Sequence, residues 1–264
     1  MRFVRRNVLT AFALLAFVYL MAPIAVVIAF SFNDPAGRFN YTWEGFTTRH
    51  WADPFGAPGL RDAITVSLEI AALASLVATV LGTLIAMALI RYRFRARGVT
   101  NLLVFMPMTT PEVVMGASLL ALFLNLGVDR GFGTIFIAHV MFDISFVVVT
   151  VKARLVGFDR HLEEAAMDLG ANPFVTFGRV TLPLIAPGIM AGALLAFALS
   201  IDDFVITAFN SGSTVTFPLY VWGAARVGVP PQVNVIGTII FLAAAGTMLA
   251  TVVFQMRRPA KGAV

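Results

Sequence analysis

The feature that most constrains the fold is a set of six long apolar stretches. A helix rises about 1.5 Å per residue, so roughly 20 apolar residues cross the hydrocarbon of a bilayer. The mean hydropathy of +0.88 is higher than a soluble core requires. We therefore predict an all-α integral membrane protein, in which residues 1–264 form one domain with six transmembrane helices. The predicted spans are residues 8–32, 64–90, 102–127, 133–151, 184–208 and 235–256.

The first apolar stretch follows Arg2, Arg5 and Arg6, an arrangement that secretory signals share. Its apolar part, Val8 to Phe30, is longer than the roughly 7–15 apolar residues of a signal peptide. We expect an uncleaved first span, with cleavage as the alternative.

The basic residues are distributed unevenly among the segments that join the spans. With the N-terminus inside, 14 of the 19 Lys and Arg residues are cytoplasmic. Because Lys and Arg accumulate in cytoplasmic loops, we expect a multi-pass topology with both termini in the cytoplasm. The net charge of +5 reflects this topology and does not indicate nucleic acid as a partner.

Residue types that several kinds of site require are missing or scattered. The chain has no cysteine, and His50, His139 and His161 lie far apart, which argues against disulfides and metal sites. Neither Lys152 nor Lys261 stands in a Gly-Lys-Ser/Thr phosphate-binding motif. We expect no catalytic residues, no metal and no cofactor in this chain, and any ATP would be hydrolysed by another chain.

Three polar segments lie outside the spans: outer loops 33–63 and 209–234, and inner stretch 152–183. Within the inner stretch, residues 159–169 predict a short helix with Asp159 as N-cap. Gly170 is placed to end that helix in a left-handed conformation. Asn172 and Pro173 are suited to begin a second helix, which Leu182-Pro183 would end. The segment predicts a helix–turn–helix elbow; the simpler alternative is a re-entry turn between spans.

The elbow contains Glu164-Ala165-Ala166, three residues, Gly170, nine residues, Val180, one residue and Leu182-Pro183. This spacing resembles the EAA loop of ABC importer permeases, with Val180 in place of Ile. The resemblance implies the type I, MetI-like permease architecture and a coupling helix that docks on a cytoplasmic ATPase. The coupling residues it implies are Glu163, Glu164, Ala165, Ala166, Gly170, Asn172, Pro173, Leu182 and Pro183.

Further motifs narrow the resemblance to spermidine/putrescine permeases of the second-subunit type. They are Pro111 to Gly116, Ser200 to Phe204 and Val227 to Asn234. The implied function is polyamine import, with another charged solute, such as an aminophosphonate or opine-like compound, as the alternative.

The same resemblance implies a location in the bacterial inner (cytoplasmic) membrane and several partners. They are a cytoplasmic ATPase dimer that binds ATP and Mg, a homologous second permease, a periplasmic solute-binding protein and membrane lipid. The sequence leaves open whether the pore is a heterodimer or is built from two copies of this chain.

Acidic residues inside or near the spans are the candidate substrate path. Inserting an ionised carboxylate at a span centre costs about 2.5–3.5 kcal/mol, so such residues usually face a cavity or a partner. A path lined by carboxylates would suit a polycationic substrate. Protonation or hydrogen bonding between helices is the structural alternative. Asp202 and Asp203 point about 100° apart on a helix, so one of them is expected to be structural. The candidates are Glu69, Glu112, Asp143, Asp202 and Asp203, with Tyr220 and Trp222 either at the mouth of the path or as interfacial anchors.

Two other classes of protein remain possible at this point. A secondary transporter could use the intramembrane carboxylates as proton relays, although it would have no reason for the EAA spacing. An integral membrane enzyme would require a catalytic cluster near one membrane face, and the sequence offers none.

Overall fold

The protein is described here from a computed structural model, which covers residues 2–37 and 39–257. Over this part of the chain the structure is helical, with one isolated antiparallel bridge between Asn33 and Phe46, so the predicted all-α class is confirmed. The helices are α1 (Arg2–Phe30), α2 (Arg49–Ala52), α3 (Leu60–Arg91), α4 (Arg97–Thr109), α5 (Glu112–Asn125), α6 (Phe132–Val156), α7 (His161–Asp168), α8 (Pro173–Thr176), a π-helical turn (Phe177–Thr181), α9 (Leu182–Asp202), α10 (Val205–Asn210), α11 (Phe217–Val227) and α12 (Pro231–Arg257).

The chain divides into two compact units. The first comprises Met1–Arg61 and Val221–Val264, and the second comprises Asp62–Tyr220. The first unit combines segments from both parts of the sequence, and the single transmembrane domain remains a prediction.

In the first unit, α1 packs against α12 and the outer loop is folded compactly. The Asn33 side chain donates to the Asn40 Oδ1 (2.6 Å) and accepts from the Glu44 amide (2.8 Å). The Phe32 ring stacks between Phe46 and Trp51, with ring centroids 5.5 and 5.2 Å away. A buried amide and an aromatic stack therefore give this loop a small core of its own.

Among the described residues, α1 from Val8, α3, α6 and the continuous segment Pro173–Asp202 are long and apolar enough to cross a membrane. The pair α4 and α5 adds a fifth crossing if it forms one span, and the apolar segment Pro231–Thr247 of α12 is shorter. The count of six crossings remains a prediction.

The stretch 102–127 is not one straight helix, because its two halves meet at 110°. Thr110 is extended (φ −80°, ψ 132°), as favoured for a residue that precedes proline, and Pro111 follows it. Pro107 lies inside α4 without ending it.

The expectation that Leu182-Pro183 ends the second elbow helix is wrong. The helix continues from α8 through the π-helical turn into α9. The Leu182 amide donates to the Phe177 carbonyl, five residues back, and Pro183 has no N–H to place in the hydrogen-bond ladder. The π-helical turn therefore leads the chain into the proline without a break.

The second unit has close helix packing around α6. A Cβ on Gly82 would lie 2.7 Å from Val147 Cγ1, and a Cβ on Gly188 would lie 2.7 Å from Arg154 Cβ. One apolar cluster joins α3, α6 and α9, and a second joins α5, α6 and α10. This second unit carries the elbow and the intramembrane acids.

Candidate coupling and translocation sites

The elbow folds largely as its capping residues predict. Gly170 adopts φ +90°, and its amide donates to the Met167 carbonyl (2.9 Å). The Asn172 side chain accepts from the Val175 amide (2.9 Å), and Pro173 is the first residue of α8. The first helix begins at His161 rather than Asp159, although the Asp159 carboxylate accepts from the His161 amide (3.0 Å).

Apolar side chains on the elbow point away from the rest of the unit. Leu169 and Phe174, on either side of Gly170, are 90% and 88% exposed. Leu162 and Met167 on α7 are also exposed, and α7 has no buried residue. In a polar segment between two spans, an exposed apolar surface of this kind is typical of a contact with another protein.

The two adjacent glutamates of α7 face in different directions. The side chain of Glu164 is 64% exposed and pairs with His161, whereas that of Glu163 is only 14% exposed. Glu163 accepts from the Arg91 guanidinium at the end of α3 and from the Thr181 hydroxyl. Ala165 is exposed and Ala166 is half-buried. Glu164 and Ala165 therefore lie on the exposed face of the elbow, whereas Glu163 does not.

A buried polar cluster lies at the break between α9 and α10. His139 contacts the Ser200 hydroxyl through Nδ1 (2.6 Å) and the Thr207 hydroxyl through Nε2 (2.9 Å). The Asp203 carboxylate accepts from the Thr207 amide (2.8 Å) and hydroxyl (2.7 Å) and lies 3.3 Å from His139 Nε2. Both ring nitrogens of His139 thus have hydrogen-bond partners.

Asp143 lies one helical turn after His139 and is completely buried. Neither of its carboxylate oxygens has a hydrogen-bond partner among the described residues. In the described part of the chain, no three His, Asp or Glu side chains are grouped as a metal ion would require.

The remaining candidate path residues are exposed or half-buried. Glu69, Glu112 and Asp202 are exposed on the surface of the second unit. In α11, Tyr220 is half-buried, and Trp222 is exposed with the Arg226 guanidinium 5.0 Å from its ring centre. The candidates therefore divide into a buried pair, Asp143 and Asp203, and the exposed acids.

Sequence reasoning missed the partners of the buried side chains. Arg91 and Thr181 contact Glu163 from other elements, and Thr207 contacts Asp203 across a helix break. Ser200 contacts His139, which lies in another helix. The only available signal was the position of Arg91 at the end of an apolar stretch, which also fits a simple topological role.

The comparisons with known proteins agree with this architecture. The family described as "Binding-protein-dependent transport system inner membrane component" matches residues 78–258. The spermidine/putrescine transport system permease protein PotC of Escherichia coli (strain K12) is 41% identical over 227 residues, covering 86% of this chain and 85% of PotC. The putrescine transport system permease protein PotI of the same strain is 41% identical over 235 residues, covering 86% of this chain and 83% of PotI.

Solved structures with the same fold are less similar in sequence. A chain of a bacterial ABC transporter involved in the import of the acidic polysaccharide alginate superposes with a TM-score of 0.68 at 17% identity, covering 98% of this chain and 99% of that one. A chain of the MetNI methionine ABC transporter gives 0.58 at 14% identity, covering 75% and 96%. These likenesses confirm the predicted permease fold. With the family match over residues 78–258 and relatives 41% identical over most of its length, the chain belongs to the inner-membrane components of binding-protein-dependent transport systems.

Proposed function

We propose that this chain is a permease subunit of an ATP-driven importer of polyamines, coupled to a separate ATPase through the elbow. The observation that carries the coupling is the nearly complete exposure of Leu169 and Phe174 in a polar segment between spans. Covering such side chains with a partner removes apolar surface from water and so lowers the free energy. The polyamine substrate is supported by the relatives named as spermidine and putrescine permeases and by the acids in or near the spans.

The exposed acids are the best candidates for contact with a polycation. Asp202 is exposed at the end of α9, and Glu112 is exposed in the first turn of α5. Asp203 is already satisfied by His139 and Thr207. We therefore regard Asp202 and Glu112 as stronger candidates for contact with the substrate than Asp143 and Asp203. Glu69 is a weaker candidate than Asp202 and Glu112.

The assembly follows from the same reasoning. The elbow would dock on an ATPase dimer that binds ATP and Mg, and a periplasmic solute-binding protein would deliver substrate. A homologous second permease would complete the pore, most simply as a heterodimer, while lipid would cover exposed apolar side chains such as those of Phe12 and Leu15 on α1. The distribution of Lys and Arg supports cytoplasmic termini.

The experiment is ATPase activity of the reconstituted complex, with binding protein that is empty or loaded with spermidine or putrescine. We expect loaded binding protein to stimulate hydrolysis, and Gly170→Arg to abolish stimulation and transport while membrane insertion is retained. Stimulation by a different solute alone would reject the polyamine assignment. An uptake that responds to uncouplers, with no associated ATPase, would replace the importer by a proton-coupled transporter.

Docking through the apolar surface is tested separately with Phe174→Ser. We expect this variant to lose co-purification of the ATPase, because the exposed ring is the largest apolar group on the elbow. Val227→Ser is the matched control, since Val227 is similarly apolar and 69% exposed but lies on α11. Equal ATPase recovery with both variants would contradict docking through the elbow.

A further inference from the structure

The attachment of α7 to the membrane helices is unusual because it is polar. In α7 no residue is buried, so a hydrophobic core does not hold this helix in place. On its inward side, the Glu163 carboxylate accepts from the Arg91 guanidinium. Just before the helix begins, the Arg160 guanidinium donates to the Ile90 carbonyl (3.1 Å). Both contacts reach the end of α3.

Glu163 joins two spans through one oxygen atom. Its Oε1 accepts from Arg91, the last residue of α3, and from Thr181, the last residue of the π-helical turn before α9. The Thr181 residue is completely buried, and the side chains of Arg91 and Glu163 are 25% and 14% exposed. Charge-assisted hydrogen bonds away from bulk water are among the stronger polar contacts in proteins.

Arg91 is well placed to hold this position without Glu163. A cation in the last turn of a helix interacts favourably with the helix dipole and with the carbonyls that lack partners there. Arg91 is such a residue at the C-terminus of the 32-residue α3. Arg91 is therefore held by α3 itself, and the Glu163 carboxylate attaches the elbow to α3 through Arg91.

We propose that Glu163 is a positioning residue that transmits displacement of the elbow to α3 and α9, rather than a residue that contacts the ATPase. This inference rests on the proposed coupling function. A force on α7 displaces the Glu163 carboxylate, and the displaced carboxylate pulls Arg91 and Thr181 with it. Without the carboxylate, α7 can shift while the two spans stay behind.

The test compares Glu163→Gln with Asp168→Asn, which changes an exposed acid of the same helix to its amide. In the reconstituted complex, we expect Glu163→Gln to retain the ATPase but to move roughly tenfold less putrescine per ATP hydrolysed. Asp168→Asn should keep the wild-type ratio. Glu163→Asp, which keeps a carboxylate at this position, should retain more of the wild-type ratio than Glu163→Gln.

A second readout does not depend on the substrate. Because the chain has no cysteine, Leu84→Cys and Leu162→Cys place one spin label on α3 and one on α7. We expect Glu163→Gln to broaden the distance distribution between the labels, and Asp168→Asn to leave it unchanged. An unchanged distribution in Glu163→Gln, or loss of the ATPase with normal distances, would overturn the inference. Failure of the wild-type complex to bind any ATPase would instead reject the proposed function.

Discussion

Asp202 and Asp203 are adjacent in sequence, yet the structure gives their carboxylates opposite surroundings. Asp203 accepts from the amide and hydroxyl of Thr207 and lies 3.3 Å from His139, whereas Asp202 is exposed. The separation follows from the rotation of about 100° per helical residue, and α9 ends between the two. One acid therefore holds the helix break, and the other is available to a ligand.

Replacing Asp203 should damage the fold, and replacing Asp202 should not. Asp203→Ala leaves the amide and hydroxyl of Thr207 without their buried acceptor and removes the carboxylate that lies 3.3 Å from His139 Nε2, at a cost of roughly 2–4 kcal/mol in unfolding free energy. Asp202→Asn should leave the thermal unfolding midpoint in detergent within error of the wild type and reduce polyamine uptake. Equal midpoints for both variants would contradict a structural role for Asp203.

Gly170 should be sensitive even to the smallest side chain. At φ +90° an L-residue is strained by about 1–3 kcal/mol, although a Cβ there would meet no atom within 4 Å. Gly170→Ala is therefore expected to reorient α7 relative to α8 and to weaken ATPase co-purification. Gly178→Ala is the control, since Gly178 also has open space but no positive φ. Equal recovery of the ATPase with both variants would argue against a conformational requirement at Gly170.

Gly116 should tolerate no side chain because α10 lies against it. A Cβ at this position would lie 2.7 Å from Phe209 Cδ2 and 3.3 Å from the Ile206 Cα. Gly116→Ala is expected to cost about 1–3 kcal/mol through overpacking and to lower the unfolding temperature. Gly133→Ala, where a Cβ meets nothing within 4 Å, should not. The measurement is thermal unfolding of both purified variants in the same detergent, and a lower midpoint for Gly133→Ala would refute the packing explanation.

The outer loop should lose stability on acidification through His50. Burial lowers the pKa of His50, Arg49 lowers it further, and Asp34 only partly offsets these effects. Because the folded pKa lies below the unfolded value of about 6.5, the unfolded loop binds the proton first as pH falls. Stability is thus complete above about pH 6.5 and declines below it.

The measurement is hydrogen exchange of residues 31–60 at neutral and mildly acidic pH. After correction for the slower intrinsic exchange of amides at lower pH, we expect reduced protection at the lower pH in the wild type and a smaller reduction in His50→Gln. A pH response of the same size in the variant would assign the effect to another group.

Much of this protein was predictable from its sequence, because the relevant interactions are local. Span length follows from apolar runs, and the Asn172 cap, Pro173 and Gly170 act within one helical turn. Even the break at Thr110 follows from the proline after it. From these local features the sequence predicted most of the helices and the elbow, and the EAA spacing indicated the permease family.

Contacts between distant segments were decided only by the tertiary structure. Glu163 meets Arg91 across 72 residues, and His139 meets Ser200 across 61. Nothing in the local sequence separates Glu163 from Glu164, or Asp203 from Asp202, because which acid is buried depends on what packs against each helix face. The continuation through Leu182-Pro183 likewise required the π-helical turn, a hydrogen-bond shift that residue types alone do not specify.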